Sequence, residues 1–272
     1  MFGALAVNKM YSVYSKHKTR EAYREMQVAL AERMEADIYR NDESNVSMPY
    51  RLYIPDASAV VGSDKKFPVI LALHSGRGRG NDNINQMDRT IELLLSDMLQ
   101  GIEPVFVIAP QVEKRTHWVN YDKFTPPFFN FDQHVIPQSE NLKTAIKMLK
   151  DIIDHYPVDH QRVYVTGISM GGEGTWDAVS YYPELFAAAI PLNGAGDPEA
   201  VRRVGMMPIR FFHGSEDIIT PVENSRALHQ SLSRGPNNAT YQELRGAAHD
   251  IRDLAYSKDL FKWMLAQRKD HR

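Results

Sequence analysis

The chain predicts an α/β fold, a mostly parallel central sheet with helices on both faces. Three observations predict it. Short apolar runs alternate with amphipathic segments of helical period from residue 67 to the C-terminus. The runs Phe67–Leu73 and Val105–Ala109 are apolar throughout, as strands covered on both faces are. A third run, Val163–Thr166, leads directly into the glycine-rich turn Gly167-Ile168-Ser169-Met170-Gly171-Gly172 and a helical pattern, a strand–turn–helix unit.

Taken in order, Lys16 to Ala36 predicts an amphipathic helix, with Ala22, Tyr23, Met26, Ala29, Leu30 and Met34 on one side, packed on the domain. Pro49–Ile54 alternates like an edge strand. After the buried strand Phe67–Leu73 come a helix over Ile91–Leu99, the strand Val105–Ala109, and a helix over Glu140–Ile153 with Leu142, Ala145, Ile146, Leu149 and Ile152 inward. The elbow strand Val163–Thr166 precedes a helix over Glu173–Tyr181. Strands follow at Phe186–Pro191, Pro208–Phe212 and Tyr241–Leu244, with helices over Val222–Leu232 and Leu254–Leu265. No repeat or linker interrupts this series. The expected organisation is an N-terminal helical extension, 1–46, and a single catalytic domain, 47–272.

Composition narrows the function. An apolar fraction of 43% and a charged fraction of 24% are those of an ordinary globular protein. A net charge of -2 argues against nucleic-acid binding. No stretch reaches the ~20 apolar residues that span a bilayer. Met1 to Val7 is apolar but short and lacks a basic flank, so no signal peptide is expected, and the cytoplasm is the expected compartment if the chain is complete. With no cysteine, disulfides and thiol chemistry are excluded. Oligomeric state is not legible.

Gly-x-Ser-x-Gly arises by chance in roughly one chain of this length in ten, so its context has to carry the inference. A strand delivers Ser169 to a tight turn, and the following helix offers backbone N–H groups and a positive dipole end. Ligands of parallel sheets bind beyond the carboxyl ends of the strands. The other post-strand loops there hold His74-Ser75-Gly76-Arg77-Gly78-Arg79-Gly80, His213-Gly214-Ser215-Glu216-Asp217 and Gly246-Ala247-Ala248-His249. A serine hydroxyl needs a histidine to take its proton, and the imidazole needs a carboxylate to fix its tautomer. Ser169, Asp217 and His249 supply these groups in the order Ser, Asp, His. Glu216 and Asp250 are the alternative acids, with Asp217 preferred for its place after the strand. His74 and His213 are read as packing residues. A tetrahedral oxyanion needs two N–H donors, for which the Met170 and Gly76 amides are the candidates.

These segments together resemble the α/β-hydrolase esterases, and more narrowly a "predicted peptidase" or phospholipase/carboxylesterase-like group related to feruloyl esterase and polyhydroxybutyrate depolymerase domains. The resemblance runs from about Pro49 to the C-terminus. It is carried by Pro49–Pro55, Arg79-Gly80 with Asp82-Asn83, Ala109-Pro110-Gln111 followed by His117-Trp118, the elbow Thr166–Trp176, the acid loop from His213 through Asp217 to Ser225, and the base loop Gly246–His249. It implies a Ser169–Asp217–His249 triad with Met170 and Gly76 as oxyanion donors. Separately, no cofactor or metal is expected. One departure is Ser75, where the group usually has glycine. The side chain there would narrow the oxyanion loop or add a hydroxyl.

For the substrate, an aromatic-rich stretch from His117 to Phe131 follows a strand and is expected to wall the pocket, with Trp118, Ser75 and Trp176 touching substrate. An ordinary packed loop is the alternative for the stretch. Arg77 and Arg79 are read first as shaping their loop, and second as binding an acidic group. Asn81–Asn85 faintly resembles a calcium loop, but Gln86 stands where an EF-hand needs glycine. Asn45 and Asn238 fit the glycosylation pattern. The expected activity is hydrolysis of carboxylic esters through an acyl-enzyme. The alternatives are a serine peptidase of the prolyl-oligopeptidase type and a non-catalytic ligand-binding fold.

Overall fold

The computed structural model describes residues 19–55, 65–121, 125–237 and 239–269. The start of the expected first helix, Phe124 and Asn238 lie outside them. The strands are β1 (Glu35–Asn41), β2 (Val46–Tyr53), β3 (Phe67–Leu73), β4 (Phe106–Pro110), β5 (Val158–Ile168), β6 (Ala188–Leu192), β7 (Arg210–Gly214) and β8 (Thr240–Leu244). Helix α1 covers residues 19–32. It is followed by α2 (Arg89–Leu94), α3 (Glu140–His155), α4 (Met170–Tyr181), α5 (Glu223–Leu232), α6 (Arg252–Ala255) and α7 (Lys258–Leu265).

The eight strands of the described residues form one sheet in the order β1-β2-β4-β3-β5-β6-β7-β8. β1 and β2 run antiparallel, and every pairing from β4 across to β8 is parallel. β3, fully buried, shows why a continuous apolar run was needed. Phe67, Val69, Leu71 and Leu73 point into the core shared with α3, α4 and α5, while Ile70 and Ala72 point into the core shared with α1, α2 and α7.

Two expectations are corrected. The boundary at 46/47 falls inside the β1–β2 hairpin, so residues before it belong to the sheet. β1 was missed because it is an exposed edge whose sequence, EADIYRN, shows no buried face. Helix α1 and the turn after it pack on the same domain, α1 through buried Leu30 and Ala31 and the turn through Met34; Arg24 ties the helix to Asp82 and Asn85, and Arg33 in the turn donates to Leu95 O. The closing helix is broken into α6 and α7. Tyr256 is extended and the Ser257 side chain caps α7 by accepting from Leu260 N–H. The polar run after Gly80 is also accounted for by the fold. Asp82 Oδ1 accepts from Ile84 N, Asn85 N and Gln111 Nε2.

Candidate active site

The turn after β5 places Ser169 at φ 59°, ψ -124°, a left-handed conformation that an L-residue adopts only when its surroundings impose it. What imposes it is close packing. A Cβ on Gly171 would stand 1.9 Å from Leu73 O, so α4 starts directly against the end of β3. The Ser169 N–H donates to Leu192 O at the end of β6. Met170 is the first residue of α4, and Gly76 opens the short 3-10 turn Gly76–Gly78. First residues of helical turns have N–H groups without an acceptor inside the helix.

The turn bearing Gly76 is pinned by His74. Its Nδ1–H donates to Ser75 O at 2.7 Å, and its Nε2 accepts from Val112 N–H at 3.1 Å. This fixes one neutral tautomer. Burial, opposed by the bond to Ser75 and aided by the charge of Arg79, pushes the imidazole down to about 4. Trp118 Nε1–H donates to His74 O and closes the loop from below.

The acid loop is built in the same way. Asp217 Oδ1 accepts from Ile219 N and Thr220 N, at 2.8 and 3.0 Å, and Oδ2 accepts from His249 Nδ1–H at 2.7 Å. His213 braces it, with Nε2 at 2.7 Å from Thr220 O and 3.4 Å from Asp217 Oδ2, and Nδ1 at 2.7 Å from Ser225 Oγ. Burial opposes ionisation of Asp217. The hydrogen bonds from His213 and His249, the charge of His249 and the Thr220 N–H outweigh it, and hold the carboxyl well below the usual carboxylate range. Of the other acids considered, Glu216 is exposed and Asp250 pairs with Arg252.

Asn193, which the sequence did not flag, joins these loops. It is fully buried at φ 45° after β6; its Oδ1 accepts from Gly214 N–H and its Nδ2–H donates to His249 O. The available signal was an Asn-Gly pair directly after a strand.

Ser169 and His249 line one cavity of about 350 Å³, together with Ser75, Gly76, Arg77, Arg79, Phe128, Ile168, Ile219, Asp250 and Arg252. Of the three residues expected to touch substrate, Ser75 lines this cavity. Trp118 and Trp176 do not. Trp118 is wholly buried, packed against His74 and Gly174, and Trp176 is buried against Phe211 and Gly196. Their size and apolarity serve the core. The aromatic stretch packs largely on itself, with Tyr121 against His117, Phe128 and Phe131. Of its described residues, Phe128 lines the cavity, fixed there by its N–H bond to Ile219 O.

Behind the elbow lies a second carboxyl. Glu173, one helical turn after Ser169, is buried with neither oxygen hydrogen-bonded among the described residues. His117 Nε2 is 3.2 Å from its Oε2 but lacks hydrogen-bond alignment. Burial, opposed by Arg79 and reinforced by Asp177, pushes Glu173 up to about 8. Burial, together with the charges of Arg79 and His74, pushes His117 down to about 3. Both groups are favoured in neutral form.

Comparison with known proteins agrees with this architecture. Residues 138–270, just under half the chain, match the PETase family, described as PET hydrolase-like. The crystal structure of a thermostable esterase superposes with a TM-score of 0.75 at 31% identity, over 88% of this chain and 64% of that one. A probable carboxylesterase of Arabidopsis thaliana, SOBER1-like, is 25% identical over 66% of this chain and 80% of its own length. An uncharacterised secreted protein of Arthroderma benhamiae is 23% identical over 78% of this chain, which spans only 25% of that protein. The strand order and the solved structures agree on an α/β-hydrolase fold, and the proteins this chain resembles include a thermostable esterase, of which it spans just under two thirds, and a probable carboxylesterase.

Proposed function

We propose that this protein hydrolyses carboxylic esters through an acyl-enzyme formed on Ser169. One observation carries the reading: His249, held by Asp217 at 2.7 Å through Nδ1, shares a cavity with a serine in the elbow conformation. The bond to Asp217 places the proton on Nδ1 and leaves Nε2 as the base. In the first half-reaction Nε2 takes the Ser169 Oγ proton as Oγ bonds to the ester carbonyl carbon. The tetrahedral oxyanion is received by the Met170 and Gly76 N–H groups, and the imidazolium returns the proton to the leaving alcohol. In the second half-reaction water repeats the sequence and frees Ser169. Asp217 stays ionised throughout, because its hydrogen bonds favour the carboxylate.

A panel of p-nitrophenyl esters set against aminoacyl p-nitroanilides tests this. Ester turnover that is lost in Ser169→Ala is expected. Anilide cleavage exceeding ester cleavage would assign the site to peptide bonds instead.

A further inference from the structure

Among the described residues, three guanidinium groups and one carboxylate line the cavity, in a chain whose net charge is -2. The three are not equivalent. Arg252 is held by Asp88 at 2.8 Å and by Asp250 at 2.6 Å. Arg79 is half-buried; its Nε lies 3.2 Å from Met170 Sδ, its guanidinium lies behind Gly76, and its charge acts on Glu173. Arg79 thus packs between its own loop and the start of α4. Arg77 differs. It is exposed to the cavity and, among the described residues, makes no hydrogen bond or ion pair. It sits next to Gly76, one of the two proposed oxyanion donors, so a group it held would lie beside the reacting carbonyl.

We propose that the cleft selects esters carrying a free carboxylate, with Arg77 as the residue that reads it; the proposal rests on the esterase reading above. One unpaired guanidinium matches the single charge and planar two-oxygen face of a carboxylate, whereas a dianionic phosphate would call for more donors than this wall offers. Phe128, Ile168 and Ile219 supply the apolar wall for the rest of the molecule. The expected substrate class is therefore an ester of apolar body with one carboxylate near the scissile bond.

Matched pairs test this on either side of the ester. 4-Nitrophenyl hydrogen adipate against 4-nitrophenyl hexanoate places the charge on the acyl group. 4-Acetoxybenzoate against its methyl ester places it on the alcohol. In at least one pair, kcat/KM is expected to favour the carboxylate by about tenfold or more, and the preference should shrink in about 0.5 M salt. Arg77→Gln is expected to lower the ratio within that pair by about tenfold, and Arg77→Lys to restore part of it. No preference in either pair, or a ratio untouched in Arg77→Gln, would overturn the proposal while leaving the esterase reading intact. Failure to turn over any member of either pair would overturn both.

Discussion

Replacing Glu173 with glutamine removes a titration without removing volume, and the structure sets its size. The ordinary value of the carboxyl is 4.5, and burial brings it to about 8. The native state therefore holds this proton more tightly than the unfolded chain does. Between those two values the unfolded chain is ionised while the native carboxyl stays neutral, so stability falls as pH rises. At roughly 1.4 kcal/mol per pH unit across that window, the wild type should lose about 2 kcal/mol relative to Glu173→Gln between pH 6.5 and 8.5, allowing for levelling near pH 8. His117, pushed down to about 3, acts in the opposite sense at lower pH, where stability rises from about 3 towards its ordinary 6.5. Its contribution is shared by both proteins. Urea unfolding at the two pH values, followed by tryptophan fluorescence, measures the difference. A gap between the two proteins that stays constant within about 0.5 kcal/mol would refute the reasoning.

Two further outcomes follow from the same structure. Asp217→Asn is expected to lower kcat by roughly 10³–10⁴-fold, because the amide cannot hold the Nδ1–H tautomer; a loss below about tenfold would remove Asp217 from the mechanism. Trp118→Ala should cost about 3–5 kcal/mol of stability while leaving relative rates across acyl chain lengths unchanged, and Phe128→Ala should change those relative rates; the reverse pattern would put Trp118 back in the pocket.

The centre of the sheet was readable because β3, β4 and β6 are buried on both faces, which writes them as unbroken apolar runs. The loops that converge were readable for a related reason. Each follows a strand that the alternation of strands and helices marks, and parallel strands end on the same side. What escaped was set by packing that leaves no local period. β1 is exposed along most of its length, so no alternation marked it. Trp118 and Phe128 belong to one aromatic segment, and nothing in their order says which ring faces the core and which the cavity. Asn193 joins three loops only once β6, β7 and the His249 turn are assembled. The difference between Arg77 and Arg79 depends on which partners the folded loop brings near each guanidinium.

The proposed chemistry requires the hydroxyl of Ser169 to be an activated nucleophile. Fluorophosphonate labelling of the wild-type protein, with peptide mass spectrometry to locate the adduct, measures this most directly. A single phosphonyl adduct on Ser169 is expected, strongly slowed in His249→Ala and absent in Ser169→Ala. A protein that does not react, or reacts at another residue at the same rate in all three forms, would contradict it.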